Sequence, residues 1–520
     1  MLLVGNQFLW WIFLIGSILR CQSARILGVF PMTGRSHYIL ESALMKTLAD
    51  AGHDVTIVSP YAENYVPRNG SYREILLTGF LEAYAEKRKA INLFDSPRLN
   101  AIKAIYLVNK IGLTLTQNTL AHENVQKLIE SKEKFDAVIV GQFMNDALKG
   151  LAHYFGGHLI LFSSVGSSTW VNHLVGNPSL PSYTPEILMS FPAKMTYSQR
   201  FRNTLFNTAF NIIQILIFHP KQNEILHKYV PNSTDLDDAL YNVSLVLLNS
   251  HESVSYPSST VPCMVHIGGF HIKPLNTLPQ SLQDYLDNSV NGAIYFSLGS
   301  NVNSKDMPAD KKNAFLNVFK RLKLNVLWKY EEDSLEDWPK NIKTAEWFPQ
   351  QEILAHPNVK LFITHGGYSS TIEAVFYGIP VIAIPIYGDQ KMNAVYAETG
   401  NFGLSLNWHD ITEENLYSRI QEIVNVPKYK ENAKKRSQLM RDREIHPMDR
   451  AIYWIEYVIK YDGAYHLRVA SLELSWFQYY LLDVYGLIFL FIFVICLVLR
   501  KLFVLLFCRK RNALQKLKVK

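Results

Sequence analysis

Two rhythms of apolar residues alternate along this chain. Short apolar runs at Arg25–Phe30, Val55–Ser59, Ala137–Val140 and Leu159–Phe162 predict buried strands. Between the first two, Ile39, Leu40, Ala43, Leu44 and Leu48 recur at helical spacing within Ser36–Ala51, and Gly52 ends the pattern. Strands separated by helices predict a parallel sheet covered on both faces. Two further stretches, Ala101–Leu120 and Thr196–Phe218, hold more Phe, Ile and Leu than a one-sided helix needs. They suit the wall of a lipophilic pocket, contact with a bilayer, or an ordinary interior position alike.

Near Val261–Leu286 the pattern breaks at Pro262, Gly268, Gly269, Pro274 and Pro279. A second alternation follows: strand Ala293–Ser297, turn Leu298-Gly299-Ser300, a helix to Leu322, and strand Val326–Tyr330. It is completed by the 44 residues Trp347–Gln390, which hold strands Val359–Thr364 and Val381–Pro385, each ending in a polar, Gly-bearing turn. The first of these turns opens a helix, Tyr368–Tyr377. That is a nucleotide-binding half-unit of a parallel sheet, with its polar groups at one rim. The expected organisation is two similar α/β domains, residues 25–265 and 266–465, with a ligand cleft between them.

The ends of the chain change the picture. Residues 1–24 read as a signal peptide, with an apolar run Phe8–Leu19, no acid, and small residues near Ser23-Ala24. Residues 466–480 read as an amphipathic membrane-proximal segment. Residues 481–499 form an apolar run long enough to span a hydrocarbon core of about 30 Å, with Trp476, Tyr479, Tyr480 and Tyr485 as an interfacial belt. The tail, residues 500–520, carries eight Lys and Arg and no acid. The positive-inside rule puts it in the cytosol, which makes this a single-pass type I protein with a lumenal body. Lysines at the third and fifth positions from the end resemble a KxKxx retrieval signal for the endoplasmic reticulum, although a lysine-rich stop-transfer tail has the same composition. The net charge is +7, so the eight tail cations leave about −1 for the rest. A body without basic excess excludes nucleic acid as a partner, and a single span excludes a transporter. Of four cysteines only Cys263 falls in the lumenal body, so no intrachain lumenal disulfide is expected. Sequons at Asn69, Asn232 and Asn242 suit a lumenal chain.

Candidate chemistry gathers at strand ends. His365-Gly366-Gly367 follows a strand and opens a helix, where free amides and an imidazole suit a pyrophosphate. Ser300, Ser369 and Ser370 add hydroxyls, and Glu373 can accept from two ribose hydroxyls. Trp347 offers an indole face to a base, Gln350 can pair with a pyrimidine edge or ribose, and Asp389-Gln390 can hold a sugar. His37, between the first strand and first helix, sits on the rim of the first domain, where a neutral imidazole can act as a base.

The run Trp347–Gln390 resembles the signature of the UDP-glycosyltransferase family over its full length. Phe296–Ser300, Gly268-Gly269 and Trp476–Tyr479 are similar too, so the likeness extends from signal to tail and is nearest to invertebrate membrane-anchored members. It implies a GT-B fold with two facing Rossmann-like domains and one C-terminal transmembrane helix. It also implies transfer of a sugar from a UDP-sugar to a small lipophilic acceptor, with inversion. Trp347 would stack on uracil. Gln350 and Glu373 would hold uracil and ribose. Ser300, His365, Gly367 and Ser369 or Ser370 would hold the phosphates, and Asp389 and Gln390 the sugar. The family pattern places its base at His37.

The vertebrate pattern has an Asp directly after the strand equivalent to Ala137–Val140, whereas this chain has Gly141-Gln142 there. Asp146 is the nearest carboxylate downstream and the candidate to orient His37. Leu248 stands where glucuronosyl members carry an Arg, which favours glucose, with glucuronosyl transfer as the alternative. A non-catalytic UDP-sugar-binding protein is the alternative from another class. No metal or other cofactor is expected, because Asp235-Leu236-Asp237 lies away from any strand end. A detoxifying role fits the acceptor class, and a homo-oligomer is compatible with the sequence.

Overall fold

The computed structural model describes residues 23–90, 93–94, 101–332 and 338–517. The expected signal peptide and the last three lysine-rich residues fall largely outside them. Residues 1–468 and 469–520 are two compact units.

The first unit contains two parallel sheets. The first is built from β1 (Arg25–Val29), β2 (Asp54–Ser59), β3 (Ser71–Leu76), β4 (Ala137–Gly141), β5 (His158–Ser163), β6 (Val243–Leu248) and β7 (Met264–His266), in the order β3-β2-β1-β4-β5-β6-β7. The second is built from β8 (Ala293–Ser297), β9 (Asn325–Lys329), β10 (Ile342–Ala345), β11 (Val359–Thr364), β12 (Val381–Ala383) and β13 (Gly403–Ser405), in the order β10-β9-β8-β11-β12-β13. Both are doubly wound, so the chain reverses its direction of travel across the sheet between β1 and β4, and again between β8 and β11. Loops leaving those strands diverge and open a crevice at their carboxyl ends.

Burial explains the elements. The central strands are buried on both faces, as β4 and β6 are throughout. The helix Arg35–Asp50 buries Leu40, Leu44, Met45 and Leu48 on the first sheet, but Ile39 is outside and Glu41 inside. The apolar face is therefore rotated from the one the spacing alone suggests. In the second sheet Phe296, Phe315, Phe319 and Trp328 pack ring on ring.

The helix Pro447–Lys460, which a boundary at residue 465 assigns to the second domain, packs on the first sheet. Its Met448, Ala451, Ile455 and Val458 share a core with Ile26, Ile160 and Leu245. The chain thus crosses back to finish the first domain's core.

In the second unit, Ser475 and Gln478 cap a short turn, Trp476–Tyr479, and the helix Leu482–Leu517 follows. Its candidate membrane span, Leu482–Phe507, covers 26 residues. The helix runs unbroken through Arg500 and Lys501, so the expected start of the tail at residue 500 is not a break in structure.

Candidate active site

A cavity of about 1880 Å³ lies at the carboxyl ends of the central strands of both sheets. The first sheet contributes Gly34, Ser36 and His37 after β1, Gln142 and Phe143 after β4, and Ser164 after β5. From the second come Asn301 after β8, His365, Gly367 and Ser369 after β11, and Asp389 and Gln390 after β12. The helix Ala101–Ala121 supplies an apolar wall with Leu107, Val108, Ile111 and Leu115, and Phe206 reaches it from the helix Tyr197–Ile213. Of the three positions open to these helices, the pocket wall is the one their inner faces take. The outer face of the second is exposed at Leu205 and Ile212, as are Ile215 and Leu216 in the wider helical turn Gln214–Phe218 that continues it.

His37 is half-buried on this lining. Among the described residues its imidazole has no hydrogen-bond partner, and burial holds it down to about 4, so it is neutral and free to accept a proton.

On the opposite side, His365 is clasped between two glycines. A Cβ on Gly299 would stand 2.6 Å from the imidazole Cε1, and one on Gly367 would stand 2.5 Å from Nε2. Gly299 also has φ +84°, which a larger residue resists. Burial, with Lys329 nearby, holds His365 down to about 4. The Oγ of Ser300 is buried and without a partner, which suits a ligand oxygen.

Trp347, Gln350, Ser370 and Glu373 form a second cluster, off the cavity lining. Gln350 Nε2 donates to Glu373 Oε2 at 2.6 Å and to Ser370 Oγ at 3.2 Å, and Gln351 Nε2 donates to Glu373 Oε1 at 3.0 Å. His271 Nε2 stands 3.3 Å from the same carboxylate. Burial opposes the charge on Glu373, but His271, Gln350 and Gln351 outweigh it and hold the carboxyl below its usual value. Trp347 is half-exposed, and the Arg35 guanidinium lies 4.8 Å from its ring centroid.

Asp389 and Gln390 begin the helix Gln390–Thr399. Gln390 Oε1 accepts from the amides of Ile386 and Tyr387, at 2.8 and 3.0 Å, which fixes the loop after β12. Asn393 donates to Asp389 Oδ2 at 2.6 Å and to the Gly366 carbonyl at 2.9 Å, tying that loop to the His365 turn. Burial raises the Asp389 carboxyl above its usual value.

Asp146, expected to orient His37, is engaged elsewhere in this structure. Its carboxylate is buried and bonded to the Lys149 ammonium, whose side chain is also fully buried, and His219 stands 3.9 Å away. Asp146 lies off the cavity lining, committed to a counter-charge of its own. The short turn Asp146–Lys149 directs it toward the helix His219–Tyr229. Leu248 is likewise fully buried in its strand and off the lining.

Sequence reasoning missed His271, Asn301 and Asn393. Asn393 had a signal, since it lies four residues after Asp389 on one helix face. His271 had one in its place after Gly268-Gly269. Asn301 had none. The sequon residues Asn69, Asn232 and Asn242 are exposed; Asn69 Nδ2 donates to the Asp50 carbonyl at 2.8 Å, and Asn242 Oδ1 accepts from Arg468 at 2.7 Å.

Two doubly wound sheets with polar groups converging from their carboxyl ends make a GT-B fold. The solved glycotransferase of kitacinnamycin has this fold, with a TM-score of 0.57 at 17% identity over 84% of this chain and 99% of that one. Residues 25–518 match the family model described as UDP-glucoronosyl and UDP-glucosyl transferase, and the chain belongs to that family. It is 37% identical to UDP-glycosyltransferase UGT5 of Dactylopius coccus, over 92% of this chain and 91% of that protein. UDP-glucosyltransferase 2 of the same organism is 36% identical, over 89% of each chain. The protein is a UDP-glycosyltransferase, with one apolar C-terminal helix that fits membrane anchoring.

Proposed function

We propose that this enzyme transfers glucose from UDP-glucose to a hydroxyl of a small lipophilic acceptor, with His37 as the general base. The observation that carries the reading is a neutral, unpartnered His37 on the wall of an apolar cavity whose other side holds His365, Asp389 and Gln390. The acceptor O–H gives its proton to the imidazole as its oxygen bonds to the anomeric carbon. The bond from that carbon to the β-phosphate oxygen breaks from the opposite face, so the configuration inverts, and UDP leaves with the electron pair. Amides at the start of the helix Tyr368–Phe376, His365 and Ser300 stabilise the departing phosphate without a metal. Glu373, preset by Gln350, Gln351 and His271, takes the ribose hydroxyls, and Trp347 takes the uracil.

Glucose is favoured by the 36% identity to a relative named as a glucosyltransferase. Glucuronosyl transfer has one observation of its own, since Lys391 lines the cavity beside Asp389 and Gln390 and could meet a uronate. The test is UDP release from membranes bearing the full chain, with UDP-glucose and UDP-glucuronic acid in parallel over a panel of phenols. Turnover with UDP-glucose is expected. Turnover with UDP-glucuronic acid alone would transfer the reading to the uronate, and UDP binding without turnover would support a non-catalytic protein.

Glu373→Ala removes the acceptor of two glutamines. The KM for the donor is expected to rise about 10- to 100-fold, the worth of hydrogen bonds to a charged group, with kcat much less affected, in initial-rate measurements.

The body is assigned to the lumen of the endoplasmic reticulum, anchored by the helix from Leu482, with its basic end in the cytosol. The excess of Lys and Arg after residue 499 supports that orientation.

A further inference from the structure

A histidine base works best with a carboxylate that fixes its tautomer and meets the charge it gains. Asp146 is committed to Lys149, and residue 141, at the end of β4, is a glycine with no side chain to offer. Yet a carboxylate does stand in that place. A Cβ built on Gly141 would meet Glu41 Oε1 at 3.0 Å. Glu41 comes from the first helix and fills the space that a side chain on residue 141 would enter.

We propose that Glu41 is the positioning residue for His37, delivering from the helix the carboxylate that β4 lacks. The assignment rests on the reading of His37 as the base.

Three observations carry it. Glu41 lies four residues after His37 in the helix Arg35–Asp50, so the two share a face. Helical side chains lean toward the N-terminus, which brings residue 41 back over residue 37. Glu41 is 2% exposed and its Oε2 has no partner, a costly state unless the group has work to do. Third, β4 pairs with β1, Val140 beside Val29, so the end of β4 borders the loop that carries His37.

Burial pushes the Glu41 carboxyl up to about 8 and His37 down to about 4, and no ion pair joins the two in this structure. A charge gained by His37 in turnover is what Glu41, ionised, would offset. Drawn within hydrogen-bond reach of His37 and ionised there, Glu41 would accept from the Nδ1–H, which would leave the Nε2 lone pair facing the acceptor. When Nε2 takes the acceptor proton, the carboxylate offsets the imidazolium charge.

Relocating the carboxylate tests this in the full chain in membranes. Glu41→Gln keeps the shape and removes the charge; kcat is expected to fall about 100-fold or more, with KM for the donor and UDP binding unchanged. Glu41→Ala is expected to lose a similar factor, and adding Gly141→Asp should restore most of the rate, because alanine removes the Glu41 contact and leaves only the Phe30 ring, 3.1 Å from the new Cβ, to give by a few tenths of an ångström. A residue that merely filled space would not respond to moving its charge. Wild-type kcat in Glu41→Gln would overturn the proposal. So would a double variant no faster than Glu41→Ala with UDP binding intact. If His37→Ala remained active, the reading of the base would fall instead, which keeps the two failures apart.

Discussion

His37→Ala is expected to reduce kcat by about 10²- to 10⁴-fold, the usual worth of a positioned general base, while UDP binds as before. The split follows from the geometry. His37 extends from the first sheet's β1 loop, whereas Trp347, Gln350, Glu373 and His365 are held by the second sheet with hydrogen bonds of their own. Deleting the imidazole leaves that half intact. Single-turnover rates and calorimetric UDP binding, measured on the same preparation, check both sides. A variant that lost UDP affinity along with rate would place His37 in donor binding.

Asp146→Asn is expected to act on stability. The substitution leaves the Lys149 ammonium buried with no counter-charge, a loss of about 3–5 kcal/mol for a broken buried pair. The kcat of the protein that still folds should be unchanged, since Asp146 is off the cavity lining. The pH dependence has a definite sign. Burial works against the Asp146 charge, but Lys149 and His219 outweigh it and hold the carboxyl below its usual range. Its stabilisation is therefore complete above the unfolded value, about 3.9, and is lost as pH falls through the folded value. Wild type and variant should converge in acid when unfolding is followed in urea. A variant with full stability and collapsed kcat would return Asp146 to the catalytic role.

The central strands were legible because parallel strands buried on both faces read as apolar runs; Val359–Thr364 and Ala293–Ser297 match residue for residue. The edge strands Ser71–Leu76 and Ile342–Ala345 were not, since they are half-buried and hold no such run. The return of Pro447–Lys460 to the first sheet depends on long-range packing that no local pattern records. At the site, the His365 turn and the Asp389-Gln390 pair were legible because a nucleotide half-unit keeps its polar groups at one rim. The surroundings of His37 were not. Asp146 looked suitable at the start of a helical segment, but Lys149, three residues on, claims it. Glu41 falls off the apolar spacing of the first helix, and its burial against Gly141 is a long-range contact that spacing does not record.

The central claim is direct displacement of UDP from the sugar by an acceptor oxygen that His37 deprotonates. The measurement that tests it most directly is the anomeric configuration of the product, read by NMR after turnover of UDP-[13C]glucose with a phenol. The α-linked donor should give the β-glucoside, with one UDP released for each glucoside formed. An α-glucoside, or UDP release with free glucose and no glucoside, would contradict it.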